Sequence, residues 1–326
     1  MSIRLLVSRS INQVRCLVSY VLSLCGIVRV RHMPTFVSVE PANYCQLRCP
    51  ECPVGQSSAS GGVQRPHARM SVEMFRDVLS QIRSGCHTIQ FYFQGEPLLN
   101  SALPEMVKMA HEAGLFTVVS TNAQMLDKSM ARRLVGAGLS RVIVSIDGFH
   151  EESYGAYRVG GSLQRALDGL RYLHEAREEY GSHICIELQV LRLSSNESEW
   201  GWIRKHYKSL GATRLVFKTA QLYDYRHGHV LMPSEERYSR YRRGSDGEYH
   251  LHRRKRRSCY RLWSGCVITA EGEVLPCCYD KHVQYTFGNI TRESLRTLWH
   301  SDKADGFRRT VVTNKEGIGM CQKCWY

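Results

Sequence analysis

The stretch TFVSVEPANYCQLRCPECPVG, residues 35–55, runs a β-branched and aromatic segment into a loop carrying Cys45, Cys49 and Cys52. The spacing of four and then three would put the sulfurs on one helix face. Pro50 and Pro53 oppose a regular helix there, because each lacks an N–H and clashes with the preceding turn. A zinc site would want a fourth ligand close by, usually in a second pair, and none lies near. Three thiolates on three irons of a [4Fe–4S] cluster would leave one iron without a protein ligand and open to a small molecule. The open cluster is the leading reading, with zinc or structural thiols as the others.

Outward from this loop the chain alternates strand and helix. Strand-like runs occur at 35–40, 88–93 (TIQFYF), 116–122 (FTVVSTN), 141–147 (RVIVSID), 183–191 (HICIELQVL) and 214–219 (RLVFKT). The helical patterns between them carry end signals: a Ser N-cap at Ser71, and glycine stops at Gly114, Gly138 and Gly181. A further helix is expected from about Asn196 to Leu210. Parallel neighbours need crossover connections, so six strands alternating with helices predict an α/β fold around a parallel sheet. No G-x-G-x-x-G follows the first strand, which removes the dinucleotide-binding fingerprint.

Polar residues gather just past the strands' C-terminal ends. The cysteine loop follows the first strand and QGEPLLN the second; Thr121 and Asn122 end the third, Asp147 the fourth, and Lys218 the sixth. A parallel barrel keeps its chemistry at that rim, although an open α/β sheet uses the same end.

At 326 residues the chain has room for one large domain, or a medium one with a small companion, and 43% hydrophobic content supports a real core. Thirteen cysteines grouped as C-x₃-C-x₂-C and C-x₂-C indicate metal binding in a reducing, cytoplasmic setting, not a secreted disulfide framework. Residues 17–28, LVSYVLSLCGIV, are too short an apolar run to span a bilayer and lack a clear cleavage site. They read as an amphipathic helix lying on the protein, with loose contact to a membrane surface as the lesser reading. The net charge of +14 keeps RNA or another anionic substrate in view, but RRKRR at 253–257 has no interleaved aromatics for stacking bases.

The rhythm stops near residue 220. Residues 1–34 then form an N-terminal segment, 35–219 an α/β core, 220–258 a connector, and 259–326 a small cysteine-rich module relying on metal. The module holds six cysteines, with short β runs at 266–269 and 273–275. Cys16, Cys25, Cys86 and Cys185 sit in apolar patterns and read as buried hydrophobes.

CQLRCPEC after a strand resembles the cluster loop of the radical S-adenosylmethionine (SAM) superfamily. FQGEPLLN is similar to that superfamily's GGEP motif, with Gln94 in place of the first glycine, and STNAQML and VSIDGFHEESYGAYR resemble its third and fourth strand ends. The resemblance covers roughly 35–219 and implies a partial (β/α)₆ barrel. It implies that Cys45, Cys49 and Cys52 hold a [4Fe–4S] cluster whose open iron is chelated by SAM. Main-chain groups around Gly95, Glu96 and Pro97 would hold the methionine amino end. Thr121, Asn122, Ser145 and Asp147 are candidates for the ribose and carboxylate, though short polar residues at strand ends are also common caps. Phe91 and Tyr92 alternate on the second strand, with packing expected for both. The implied chemistry is reductive SAM cleavage to a 5′-deoxyadenosyl radical that takes a substrate hydrogen atom.

The C-terminal segment, with GEVLPC, GNI…LW and CQKC, resembles the auxiliary-cluster module of the SPASM/twitch subgroup in its shorter, single-cluster form. By that resemblance Cys259, Cys277, Cys321 and Cys324 hold a second [4Fe–4S] cluster used for electron transfer. Cys266 and Cys278 are spare, Cys278 being the rival to Cys277. A one-electron donor such as flavodoxin or ferredoxin is implied. With 44 residues before Cys45, the expectation tilts from a leader-bound peptide towards a small molecule or leader-independent target. The alternatives are an RNA-modifying enzyme of the same superfamily and a non-enzymatic iron–sulfur or zinc carrier or scaffold.

Overall fold

The computed structural model describes residues 3–56, 62, 65–252 and 258–324. The basic run at 253–257 lies outside the described residues. Six parallel strands follow the expected rhythm: β1 (Phe36–Val39), β2 (Thr88–Phe91), β3 (Phe116–Thr121), β4 (Arg141–Ser145), β5 (Cys185–Arg192) and β6 (Arg214–Thr219). They pair in sequence order from β1 to β6. The first four are one or two residues shorter than their sequence runs, because the terminal residues turn into the rim loops; β5 starts two residues later and ends one later than its run, and β6 keeps its bounds.

The crossover helices are α2 (Val72–Ile82), α3 (Leu103–Glu112), α4 (Lys128–Gly136), α5 (Glu151–Tyr157), α6 (Leu163–Glu179) and α7 (Trp200–His206). The Ser71 hydroxyl accepts from the Met74 amide, closing the first orphan donors of α2. Gly114 and Gly138 take positive φ, at 72° and 80°, and turn the chain out of α3 and α4. The helix expected at 196–210 is split: a 3₁₀ stretch over Ser194–Glu199 precedes the shorter α7. Asn196 causes the break, since its side chain accepts from the Leu193 amide and donates to the Asp147 and Leu191 carbonyls.

The C-terminal module is built into this sheet. Strand β9 (Gly265–Ile268) pairs in parallel with β1, Phe36 opposite Gly265, and β10 (Glu273–Leu275) and β11 (Gly288–Asn289) extend the sheet antiparallel. One continuous hydrophobic core runs from Val37, Ile89 and Val119 to Leu298, Trp299 and Val311. The module's missing core, inferred from its size, is therefore shared with the barrel. Between them, a small hairpin of β7 (Tyr241–Arg243) and β8 (Tyr249–Leu251) folds within the connector. Helices α8 (Tyr260–Ser264), α9 (Leu295–Trp299), α10 (Asp302–Asn314) and α11 (Gly319–Gln322) complete the C-terminal part.

At the other end α1 (Ile3–Leu24) is longer than the apolar run suggested and docks by its polar side. The Arg9 guanidinium donates to the carbonyls of Arg83, Ala113 and Gly114 at 2.6–3.0 Å, where α2 and α3 end. These carbonyls are the negative ends of two helix dipoles, so a buried cation fits there.

Candidate active site

The cysteine loop is held from both sides. Cys52 N donates to the Cys49 carbonyl at 3.1 Å, and Arg48 N to the Val159 carbonyl at 2.9 Å, so the loop is clamped to the segment after α5. Glu96 N donates to the Tyr44 carbonyl at 2.9 Å, which ties the GEP turn to the same loop. Gly95 is required there: its φ is +65°, and a Cβ would collide with the Ala42 carbonyl and the Tyr44 main chain.

Cys45, Cys49 and Cys52 open onto one cavity of about 290 Å³ at the strands' C-terminal ends. Gly95, Glu96, Thr121, Asn122 and Ser145 share its wall. The Glu96 carboxylate accepts from Thr121 Oγ1 (2.7 Å) and from the amides of Asn122 (2.8 Å) and Leu98 (3.0 Å). Burial pushes that carboxyl up, while these three donors oppose the rise. Asn122 extends the network, its Nδ2 donating to Cys45 Sγ at 3.4 Å.

Two of the expected residues stay off the cavity. Pro97 starts a buried 3₁₀ turn over Pro97–Leu99. Asp147 is fully buried, accepting from Leu191 N at 2.6 Å and pairing with Arg158 at 2.6 Å. Arg158, which the sequence reading quoted within GFHEESYGAYR but gave no role, lies on the cavity wall in its place. Burial alone would push its guanidinium down; Asp147, then the Cys49 sulfur, pushes it up and keeps it charged. Tyr157, from the same quoted stretch and likewise given no role, also faces the cavity, as do Tyr223 and Lys281, which no motif announced. Gln94, the departure from GGEP, uses its amide to donate to the Lys281 carbonyl at 2.6 Å, joining the rim to the C-terminal module.

A second chamber, of about 330 Å³, adjoins the first and shares Gln221 and Lys281 with it. Ser38, Tyr92, Lys218 and Val267 line it from β1, the end of β2, β6 and β9, so the sheet curls around a lumen. Phe91 is buried in the core and Tyr92 faces the chamber, as strand alternation requires. Cys277 and Cys278 stand on the chamber wall with Arg240, Arg261 and Tyr279. Cys277 also reaches a small apolar cavity behind it, together with Cys259, Cys321 and Cys324. Cys278 stays on the chamber side, accepting from Arg261 Nη1 at 3.4 Å, and Cys266 is buried on β9.

Comparison with known proteins decides what this arrangement is. Residues 39–186 match the family model described as "Radical SAM superfamily", and 259–325 match "Iron-sulfur cluster-binding domain", the SPASM model. The chain belongs to the radical SAM superfamily. It is similar to the AdoMet-dependent heme synthase of Methanosarcina barkeri, at 22% identity over 92% of this chain and 90% of that one. It is also similar to the PqqA peptide cyclase of Gluconobacter oxydans, at 25% identity over 89% and 83%. Among solved structures, Streptococcus suis SuiB bound to S-adenosylmethionine matches with TM-score 0.64 and 15% identity, covering 90% of this chain and 72% of that one. BtrN in complex with AdoMet and 2-DOIA matches with TM-score 0.54 and 20% identity, covering 90% and 94%.

Radical SAM enzymes with a SPASM domain carry a SAM-binding [4Fe–4S] cluster and auxiliary clusters. The residues here fit both. All thirteen cysteines are free of disulfides. Burial pushes the Cys45 thiol up to about 12 and Cys49 to about 11, so as thiolates both call for a cationic partner. With Cys52 beside them on the open cavity, the three sulfurs suit a cluster with one exchangeable corner. Cys277 and the three cysteines behind it, closed in by Leu262, Phe307 and Val311, suit a fully ligated one. No helix among the described residues is long and apolar enough to cross a membrane.

Proposed function

We propose that this radical SAM enzyme oxidises a small anionic substrate bound in the chamber between its two cysteine sets. One observation carries the reading: the chamber joins the three-cysteine cavity at Gln221 and Lys281 and has Cys277 in its far wall. A molecule lying there touches both places where clusters would sit. When bound, the first cluster supplies the electron that splits SAM, and the second takes the electron the substrate gives up. The chain's part is positioning and exclusion of water.

Within that division Cys45, Cys49 and Cys52 would ligate the first cluster and Cys259, Cys277, Cys321 and Cys324 the second. Gly95 and Glu96 shape the recess for the methionine end of SAM. Thr121 and Asn122 are fixed by the Glu96 carboxylate, leaving Ser145 and Arg158 as the polar groups facing the nucleoside side. Asp147 acts through Arg158, and Pro97 through the turn it starts.

The chamber wall sets the substrate class. Lys218, Arg240, Arg261 and Lys281 all border it, whereas no carboxylate among the described residues does. Arg240 is held by Thr219 Oγ1 and Tyr279, and Lys281 stands 5.2 Å from the Phe93 ring centroid, so these cations have a fixed geometry. Burial pushes the Lys218 amine down, which makes an anion beside it a welcome partner. A volume of about 330 Å³ suits a small carboxylated or phosphorylated molecule. The relatives include a heme synthase and a peptide cyclase by name, so family alone leaves the substrate open. The reducing compartment that free cysteines require points to the cytoplasm, with a flavodoxin- or ferredoxin-type protein as electron donor.

The test is deuterium transfer. Anaerobic holoenzyme with deuterated candidate acids, and neutral analogues beside them, should yield labelled 5′-deoxyadenosine from the acids alone. Label arriving only from neutral compounds or from a peptide would overturn the assignment. Lys218→Met should raise the substrate KM about tenfold, the loss of one charge-assisted contact, while background SAM cleavage stays unchanged.

A further inference from the structure

The outer face of α1 is apolar. Of the seventeen large hydrophobic residues exposed among the described residues, ten fall between Ile3 and Ile27. Val7, Val14, Val18 and Val21 recur at steps of seven, four and three, and Leu17 and Leu24 flank them, so they form one stripe. Helices on soluble proteins normally turn that stripe inward. Here the inward face is polar, with Arg9, Cys16, Ser19 and Ser23 buried.

That orientation is locked. Arg9 makes its carbonyl bonds beneath α2 and α3. Asn12 donates to the Met33 and Gly85 carbonyls at 2.9 and 3.0 Å and accepts from the Met33 amide at 2.9 Å. Ser23 Oγ lies 2.7 Å from Ser258 Oγ, and Ser19 Oγ 3.2 Å from His32 Nδ1. Rolling the helix to hide its valines would strand all of these polar groups. The stripe therefore faces outward by construction.

Charge identifies what covers it. Residues 1–39 contain five arginines and no aspartate or glutamate. Arg9 is committed inward, while Arg4, Arg15, Arg29 and Arg31 are exposed around the stripe. An apolar face on a segment whose own charges are all positive complements a bilayer surface bearing anionic headgroups. We propose that α1 is an interfacial anchor that seats this protein on an anionic membrane surface, lying in the plane of the headgroups without crossing the bilayer.

The fold then fixes the orientation. Met33, His87 and Gly114, which contact α1, precede β1, β2 and β3, whereas the cysteine loop and the GEP turn lie at the strands' opposite ends. With α1 sunk about 5–10 Å into the interface, the rim cavity faces away from the bilayer, towards water-borne SAM and electron donor.

The experiment is flotation of full-length anaerobic holoprotein with vesicles of phosphatidylcholine alone or with about a third phosphatidylglycerol. The protein should float with the anionic vesicles, and far less with the neutral ones or in high salt. Val14→Asp with Val18→Asp should reduce flotation at least tenfold, and Arg4→Gln with Arg15→Gln should weaken it on anionic vesicles only. SAM cleavage should be unchanged in both, since neither pair is near the rim, and serves as the folding control. Absence of flotation, or flotation unaffected by the aspartates, would overturn the anchor. So would a dimer in light scattering that those aspartates dissociate, because the stripe would then belong to a second copy of the chain.

Discussion

The cysteine loop after β1 and the cysteine set behind Cys277 offer the same ligand atom in opposite settings. The first is a single short loop whose sulfurs open onto a cavity of about 290 Å³ walled by Glu96, Asn122 and Arg158. The second gathers Cys259, Cys277, Cys321 and Cys324 from across the C-terminal segment and seals them with Leu262, Phe307 and Val311. What differs is access. Three sulfurs beside space leave room for a small molecule, and four sulfurs behind a hydrophobic wall leave little.

The largest expected effect breaks the pair apart at the open site. Cys45→Ala removes one of the three ligands proposed for the first cluster, with no neighbouring thiol on that loop to replace it. Reductive cleavage of SAM, followed as 5′-deoxyadenosine by chromatography, should fall below detection. The closed site should behave differently: Cys321→Ala should leave SAM cleavage measurable and abolish substrate turnover. Equal loss of both readouts would mean that the two sets work as one centre, and the distinction by access would fail.

A third change sharpens the contrast by leaving every sulfur in place. Asp147 is fully buried beside Arg158, and Asp147→Asn would strand that guanidinium beneath the cysteine loop. Breaking a buried pair in this way costs about 3 kcal/mol. The cost should appear as a raised KM for SAM and a lower thermal midpoint, with the spectroscopic signature of the C-terminal cluster unchanged.

The two regions also differed in how far sequence disclosed them. The strand–helix alternation, the Ser71 cap and the glycine stops are local signals, and the elements lie where those signals put them. The cysteine loop and GEP turn are local too. Arg158 was not legible, because its importance comes from Asp147, brought beside it only when β4 and the end of α5 pack. Cys277 and Cys278 are adjacent in sequence, and only the fold shows that Cys277 reaches the small cavity with Cys259, Cys321 and Cys324 while Cys278 stays on the chamber side. The inverted α1 was hidden for a similar reason. An amphipathic pattern marks two faces, and only the carbonyls at the ends of α2 and α3 say which face turns inward.

The smallest expected effect concerns pH and again separates the two sites. His32 lies at the seam of α1 and the C-terminal module, with Nε2 2.7 Å from the Trp263 carbonyl and Nδ1 3.2 Å from Ser19 Oγ; Trp299 Nε1 donates to its carbonyl at 2.8 Å. Burial holds its imidazole down at about 4. The unfolded chain takes up that proton near the ordinary value of about 6.5, the folded chain not until much lower, so the stabilisation is complete above 6.5 and drains away as pH falls. Between pH 7.5 and 5.5 the loss should be about 1.4 kcal/mol, seen as a lower thermal midpoint of the anaerobic protein. His32→Gln should flatten that slope whatever its effect on absolute stability. Because Trp263 and Trp299 belong to the C-terminal module, acid should loosen the closed cysteine set while the loop after β1, anchored through Glu96 and Asn122, still cleaves SAM; parallel loss of both would remove this last distinction between them.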